Sequence, residues 1–108
     1  VIGKEPLAGN GQVRVIFKLP HTTSADRISV VGEFNDWDST ATPMSHRRSD
    51  APWTATVVLE AGQRYRFRYL LDGKTWLNDW YADDYEDNVY GTRDSVVDLS
   101  DIGAPSRT

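Results

Sequence analysis

A chain of 108 residues and 12.2 kDa holds one ordinary domain, and with no cysteine it has neither a disulfide framework nor a thiolate ligand or nucleophile. Lys plus Arg is 12 and Asp plus Glu is 16, a formal charge of −4, which argues against a binder of phosphate backbones. A mean hydropathy of −0.54 and short apolar runs exclude a membrane-spanning helix, which needs ~20 apolar residues.

Residues 1–11 are rich in Gly, Pro and polar side chains and read as a flexible leader or linker. The first residue is Val1 rather than Met, as expected of a processed or excised piece. No basic stretch followed by an apolar run opens the chain, so no signal peptide is visible and a cytoplasmic location is expected.

From Gln12 onward the period is two. Val13, Val15, Phe17 and Leu19 alternate with Gln12, Arg14, Ile16 and Lys18, a half-buried strand stopped by Pro20. Residues 27–31 form a short β-branched strand ending at Gly32, and residues 44–46 suit a brief edge strand after Pro43. Trp53, Ala55, Val57 and Leu59 supply the apolar face of the next strand. In residues 64–71, Tyr65, Phe67, Tyr69 and Leu71 point inward and Arg64, Arg66, Arg68 and Leu70 outward. Asp72-Gly73 then marks a hairpin turn. Residues 95–99 make a last strand, and residues 100–108 read as a flexible tail. The expectation is an all-β, immunoglobulin-like β-sandwich of early-set type over residues 12–99, with six to eight short antiparallel strands. A barrel remains the alternative, because strand number alone does not decide closure.

Several aromatics are left over from this core. Trp37 ends GEFNDW, a polar turn after the Gly32-terminated strand, and serves either as an anchor folded under its loop or as a contact surface. Trp76 follows the Asp72-Gly73 turn, where it either caps the sandwich or takes part in binding. Two flat apolar faces beside polar turns suit a sugar, whose axial C–H face stacks on an aromatic plane while its hydroxyls need hydrogen bonds. The Arg64, Arg66 and Arg68 stripe reads as a solvated face paired with acids, with hydroxyl recognition or an anion patch as the functional options. Residues 78–88 mix five acids with Trp80, Tyr81 and Tyr85. Their spacing lacks the Gly and Glu of a twelve-residue calcium loop, so a solvated loop pinned by its aromatics is expected, with no metal or cofactor. His21 and His46 are the only histidines, and neither a nucleophile elbow nor a phosphate-cradling loop is present, so the chain is not expected to be an enzyme.

The order GEFNDW, YRFRYLLDGKTW, a polar loop and YGTRDSVVDL resembles carbohydrate-binding module family 48. This family includes the glycogen-binding domain of the AMP-activated protein kinase β subunit and the early-set domains preceding the barrels of isoamylases and glycogen-branching enzymes. The resemblance implies non-catalytic binding of α-1,4-linked glucan such as glycogen, starch or maltodextrin. It implies stacking on Trp37 and Trp76, with Arg68 at the family's lysine position. It also implies hydroxyl or rim contacts from Tyr90, Thr92 and Asp94, where the family pattern has Leu, Thr and Asn. The alternative it carries is a structural or protein-interaction module attached to a glycoside hydrolase family 13 type enzyme. The partners expected are an α-glucan and a glucan-processing enzyme or kinase, with no nucleic acid and no membrane.

Overall fold

The period-two segments become strands in the computed structural model, which describes residues 2–7 and 11–101. In chain order these are β1 (Ile2–Leu7), β2 (Gln12–Leu19), β3 (Ile28–Gly32), a 3-10 turn (Glu33–Asn35), β4 (Trp53–Glu60), β5 (Arg64–Leu71), β6 (Thr75–Leu77), β7 (Asp84–Asp87) and β8 (Arg93–Asp98). One antiparallel sheet has the order β1-β2-β4. The other runs β3-β5-β8-β7, with β6 added beside β5.

The two sheets close on each other through the residues that the alternation turns inward. Val13, Val15, Phe17 and Leu19 from β2, with Trp53, Ala55 and Leu59 from β4, pack with Ile28, Val30, Phe67, Tyr69 and Val97 of the second sheet. Phe17 sits among aromatic rings, with centroids 4.8 Å from Phe67 and 5.6 Å from Phe34. This is an immunoglobulin-like β-sandwich, as the alternation predicted.

Three local expectations change. Ile2–Leu7, inside the stretch read as a flexible leader, is an ordered edge strand in register with β2. Its Gly3 and Pro6 look like linker residues, but an edge strand tolerates a proline that cannot donate to a ladder. The Lys4 ammonium fastens it to the other sheet, 2.6 Å from Asp83 Oδ2 and 3.1 Å from the Asp98 carbonyl. Residues 44–46 make isolated bridges rather than a strand: Pro43 pairs with Ser29 and Ser45 with Thr54, so this segment ties one sheet to the other. Residues 84–87, placed in the solvated loop by their acids, form β7 on β8. Residues 8–10 and 102–108, parts of the expected leader and tail, lie outside the described residues. Among the described residues, no helix is long and apolar enough to cross a membrane.

At Arg68 the second sheet forks. β5 pairs with β3 along one side over residues 67–71. Along its other side it pairs with β8 up to Phe67 and with β6 from Tyr69. The outer face of this sheet therefore carries Arg64, Arg66 and Arg68 in a row, with β6 and its Trp76 on one side of the fork and β8 on the other.

Candidate functional site

Each residue of GEFNDW has a task in the turn after β3. Gly32 is required by close approach: a Cβ there would stand 2.5 Å from the Arg66 carbonyl and 2.8 Å from Phe67 Cβ. The Glu33 carboxylate accepts from the Arg66 backbone N–H at 2.8 Å and from its Nε at 3.2 Å, just where β3 has ended and the N–H has no strand partner. Phe34 stacks on Phe17 and anchors the turn to the core. Asn35 staples it, accepting from the Gly32 N–H at 3.1 Å and donating to the Val30 carbonyl at 2.9 Å and Thr42 Oγ1 at 3.0 Å. Asp36 and Trp37 then both adopt left-handed backbone, with φ of 57° and 58°. Aspartate tolerates this, whereas a bulky side chain pays about 1 kcal/mol for it. Trp37 is held there by its N–H on the Gly32 carbonyl (2.9 Å) and is 40% exposed.

On the outer face, Arg68 is the hub. Its Nε donates to Asp94 Oδ1 at 2.9 Å, and its Nη2 donates to Thr92 Oγ1 and, at 3.0 Å, to the Arg93 carbonyl. Asn88 completes the network: its Nδ2 donates to Asp94 Oδ1 at 3.1 Å, and its Oδ1 accepts from the Tyr90 N–H at 2.9 Å. The 88–92 turn is closed by the Asn88 N–H on the Thr92 carbonyl (2.9 Å) and by Gly91 at φ 81°. Tyr90, 86% exposed, and Val89 stand at its tip.

Trp76 lies on β6 opposite Leu70, two residues along β5 from Arg68 and on the same face, and is 47% exposed. Arg68, Thr92 and Asp94 are thus joined by direct hydrogen bonds, Tyr90 through Asn88, and Trp76 by the β5–β6 register. Trp37 lies beyond the β3–β5 register: its N–H hangs on the Gly32 carbonyl, and Gly32 faces Phe67, the residue before Arg68.

The other arginines of the stripe are occupied by acids. Arg66 binds Glu33. Arg64 Nη2 lies 2.7 Å from Asp84 and 3.0 Å from Glu86, and its hydrogen bond holds the Asp84 carboxyl below the usual carboxylate range. The segment after β6 is pinned from inside. Asp79 is buried; it accepts from the Tyr69 hydroxyl at 2.7 Å and from the Tyr81 N–H at 2.8 Å. Burial, with the Asp79 charge beside it, pushes the Tyr69 phenol far above its ordinary value.

Asn88, Glu33 and Asn35 are organising residues that the alternation pattern could not identify. The Asn88-to-Gly91 spacing of a tight turn is the signal that marks the first of them.

The chain matches the carbohydrate-binding module 48 (isoamylase N-terminal domain) family over residues 6–85. It is 34% identical over 90 residues to the 1,4-alpha-glucan branching enzyme GlgB of Cellvibrio japonicus, which covers 80% of this chain and 12% of the enzyme. The corresponding enzyme of Burkholderia cenocepacia is 47% identical over 53 residues, 47% of this chain and 7% of that protein. The chain therefore spans about a tenth of the length of these relatives. Among solved structures, the enterobactin esterase FES from Shigella flexneri superimposes with a TM-score of 0.67 over 97% of this chain and 34% of the esterase. At 13% identity, that likeness concerns the fold alone.

Proposed function

The chain belongs to the carbohydrate-binding module 48 family, and on that footing we propose that the outer face of its five-stranded sheet binds α-1,4-linked glucan without catalysis. Trp37 and Trp76 stack on glucose rings, Arg68, Asp94 and Thr92 bond hydroxyls, and Tyr90 adds an apolar contact at the rim. One observation carries this reading: the Arg68–Asp94–Thr92 network lies between two exposed aromatics, Trp76 on β6 and Tyr90 on the 88–92 turn. A guanidinium already neutralised by a carboxylate suits an uncharged polyol better than an anion. The remaining arginines of the stripe are likewise paired, which weighs against an anion-binding patch.

An open, groove-like site of this kind binds at millimolar to micromolar Kd, ~4–8 kcal/mol, most of it from the stacked indoles. The test is retention on a glycogen gel. Trp37→Ala and Trp76→Ala should each abolish it with little change in Tm, and added maltoheptaose should shift the tryptophan emission of the unaltered chain. Unchanged retention in both variants overturns the site. Because the branching-enzyme relatives carry the matching segment within a much longer chain, the other reading is a structural or protein-interaction module attached to a glycoside hydrolase family 13 type enzyme in the cytoplasm. In that case tryptophan emission stays unresponsive to saccharide.

A further inference from the structure

A hollow lies at the end of the sandwich, apart from the Arg68 face. It has a volume of about 650 Å3 and runs between the end of β2 and the β2–β3 connection, with Leu19, Pro20, Thr22 and Thr23, and the segment after β6, with Trp80 and Tyr81. Trp80 is 81% and Tyr81 72% exposed, so neither belongs to the core. Their backbone is nevertheless held firmly. Asp79, 1% exposed, takes the Tyr69 hydroxyl and the Tyr81 N–H on its carboxylate. Its own N–H donates to Ser95 Oγ at 2.8 Å, and its carbonyl accepts from the Tyr85 hydroxyl. A buried acid, hydrogen-bonded through its carboxylate, N–H and carbonyl, thus fixes a loop whose tip holds two aromatic planes in water. Such anchoring removes the loop-ordering part of the cost that a contact residue otherwise incurs on binding.

We propose that this cleft is a second saccharide-binding site, taking a short stretch of the same α-glucan; it rests on the glucan reading above. The cleft is concave and falls within the ~300–1,000 Å3 range of small-ligand sites. Trp80 and Tyr81 supply planes for the C–H faces of sugar rings, and Thr22 and Thr23, on the facing wall of this mostly apolar cleft, carry hydroxyls able to pair with those of a sugar. Continuity with the first site favours a polymer as the occupant. Asn78, which lines the cleft, donates at 2.9 Å to the Arg93 carbonyl, the same oxygen that Arg68 reaches at 3.0 Å. Trp76 and Trp80 stand four residues apart on one segment, a separation of at most ~14 Å. A repeating ligand engaging both sites gains avidity that neither site has alone.

Calorimetric titration with maltotriose and maltoheptaose tests this, using the unaltered chain, Trp80→Ala, Thr23→Val and the double variant Trp37→Ala/Trp76→Ala. Trp80 is mostly exposed, and an unchanged circular dichroism spectrum verifies that its variant folds. The expected result is two classes of maltotriose site, of which Trp80→Ala removes one and Thr23→Val weakens the same one. The Trp37/Trp76 double variant should keep the maltotriose class that Trp80→Ala removes, a site too weak by itself to hold the chain on glycogen, and Trp80→Ala should weaken glycogen retention tenfold or more. A single class lost in the double variant and untouched by Trp80→Ala overturns the second site and leaves the first intact. No binding of any saccharide by any form overturns both. Self-association abolished by Trp80→Ala, with saccharide binding unaltered, reassigns the cleft to protein contact and also overturns the proposal.

Discussion

Arg68 Nε stands 2.9 Å from Asp94 Oδ1, and this pair joins β5 to the start of β8 while both side chains are largely withdrawn from water. Removing the cation leaves a nearly buried carboxylate with Asn88 as its remaining described side-chain donor. Arg68→Ala is therefore expected to cost about 1–3 kcal/mol in urea unfolding as well as glycogen retention. Asp94→Asn keeps an acceptor for Arg68 and should retain binding within a few-fold. Loss of retention in Asp94→Asn with unchanged stability would show that the charge itself meets the ligand.

The left-handed backbone at Trp37 separates two truncations that otherwise remove the same indole. Glycine adopts φ near 58° without the clash that a Cβ brings. Trp37→Gly should therefore be more stable than Trp37→Ala by about 1 kcal/mol, with glucan binding equally lost in both. Thermal melts of the two variants side by side check this, and equal melting temperatures would deny that the turn is strained.

Gly32→Ala probes the base of the same turn. The added methyl meets the Arg66 carbonyl and Phe67 Cβ inside normal contact distance, and both are parts of β5 that cannot swing aside. A cost of about 1–3 kcal/mol is expected. Binding should fall as well, because the Trp37 N–H hangs on the Gly32 carbonyl. A melting temperature equal to that of the parent chain would count against the tight approach.

Alkaline pH addresses the buried Tyr69–Asp79 pair. Burial raises the folded-state pKa of Tyr69 above its ordinary value of 10.0. Its contribution is then complete below pH ~10 and is lost above it, because the unfolded chain can release the proton and the folded chain resists doing so. Stability should decline as pH passes ~10, and Tyr69→Phe should flatten that decline. The same substitution should cost about 1–3 kcal/mol at neutral pH by depriving Asp79 of a donor. An unaltered alkaline slope in Tyr69→Phe would assign the effect to other groups.

The strands with a clean apolar face were legible from alternation: β2, β4 and above all β5, whose inward rings and outward arginines lie as expected. What escaped did so for physical reasons. β1 contains a glycine and a proline that an edge position accommodates. β7 carries Asp84 and Glu86, which look solvated in sequence but lie on the outer face against Arg64, two strands away. Val31, Leu70 and Val96 alternate to that same outer face and are buried nonetheless, which a two-sided alternation cannot anticipate. The aromatics of the candidate site were visible because the core had no place for them. The Asn88-to-Gly91 spacing marks the turn itself, but the reach of Asn88 to Asp94 depends on the folded β7–β8 pair and has no local signal.

The fork at Arg68 has a bearing on how such a domain diversifies. Because β5 exchanges β8 for β6 at this residue, the hairpin that carries Trp76 and the turn that carries Tyr90 sit on separate prongs with separate ladders. Their tips, the 72–74 turn and residues 89–91, can vary without shifting each other's register, while Asn78 and Asp79 tie the bases of the prongs to Arg93, Ser95 and Tyr69. Ligand preference can thus be varied at the tips of the prongs, with the arginine at the crotch of the fork, where binding and stability meet, as the fixed point.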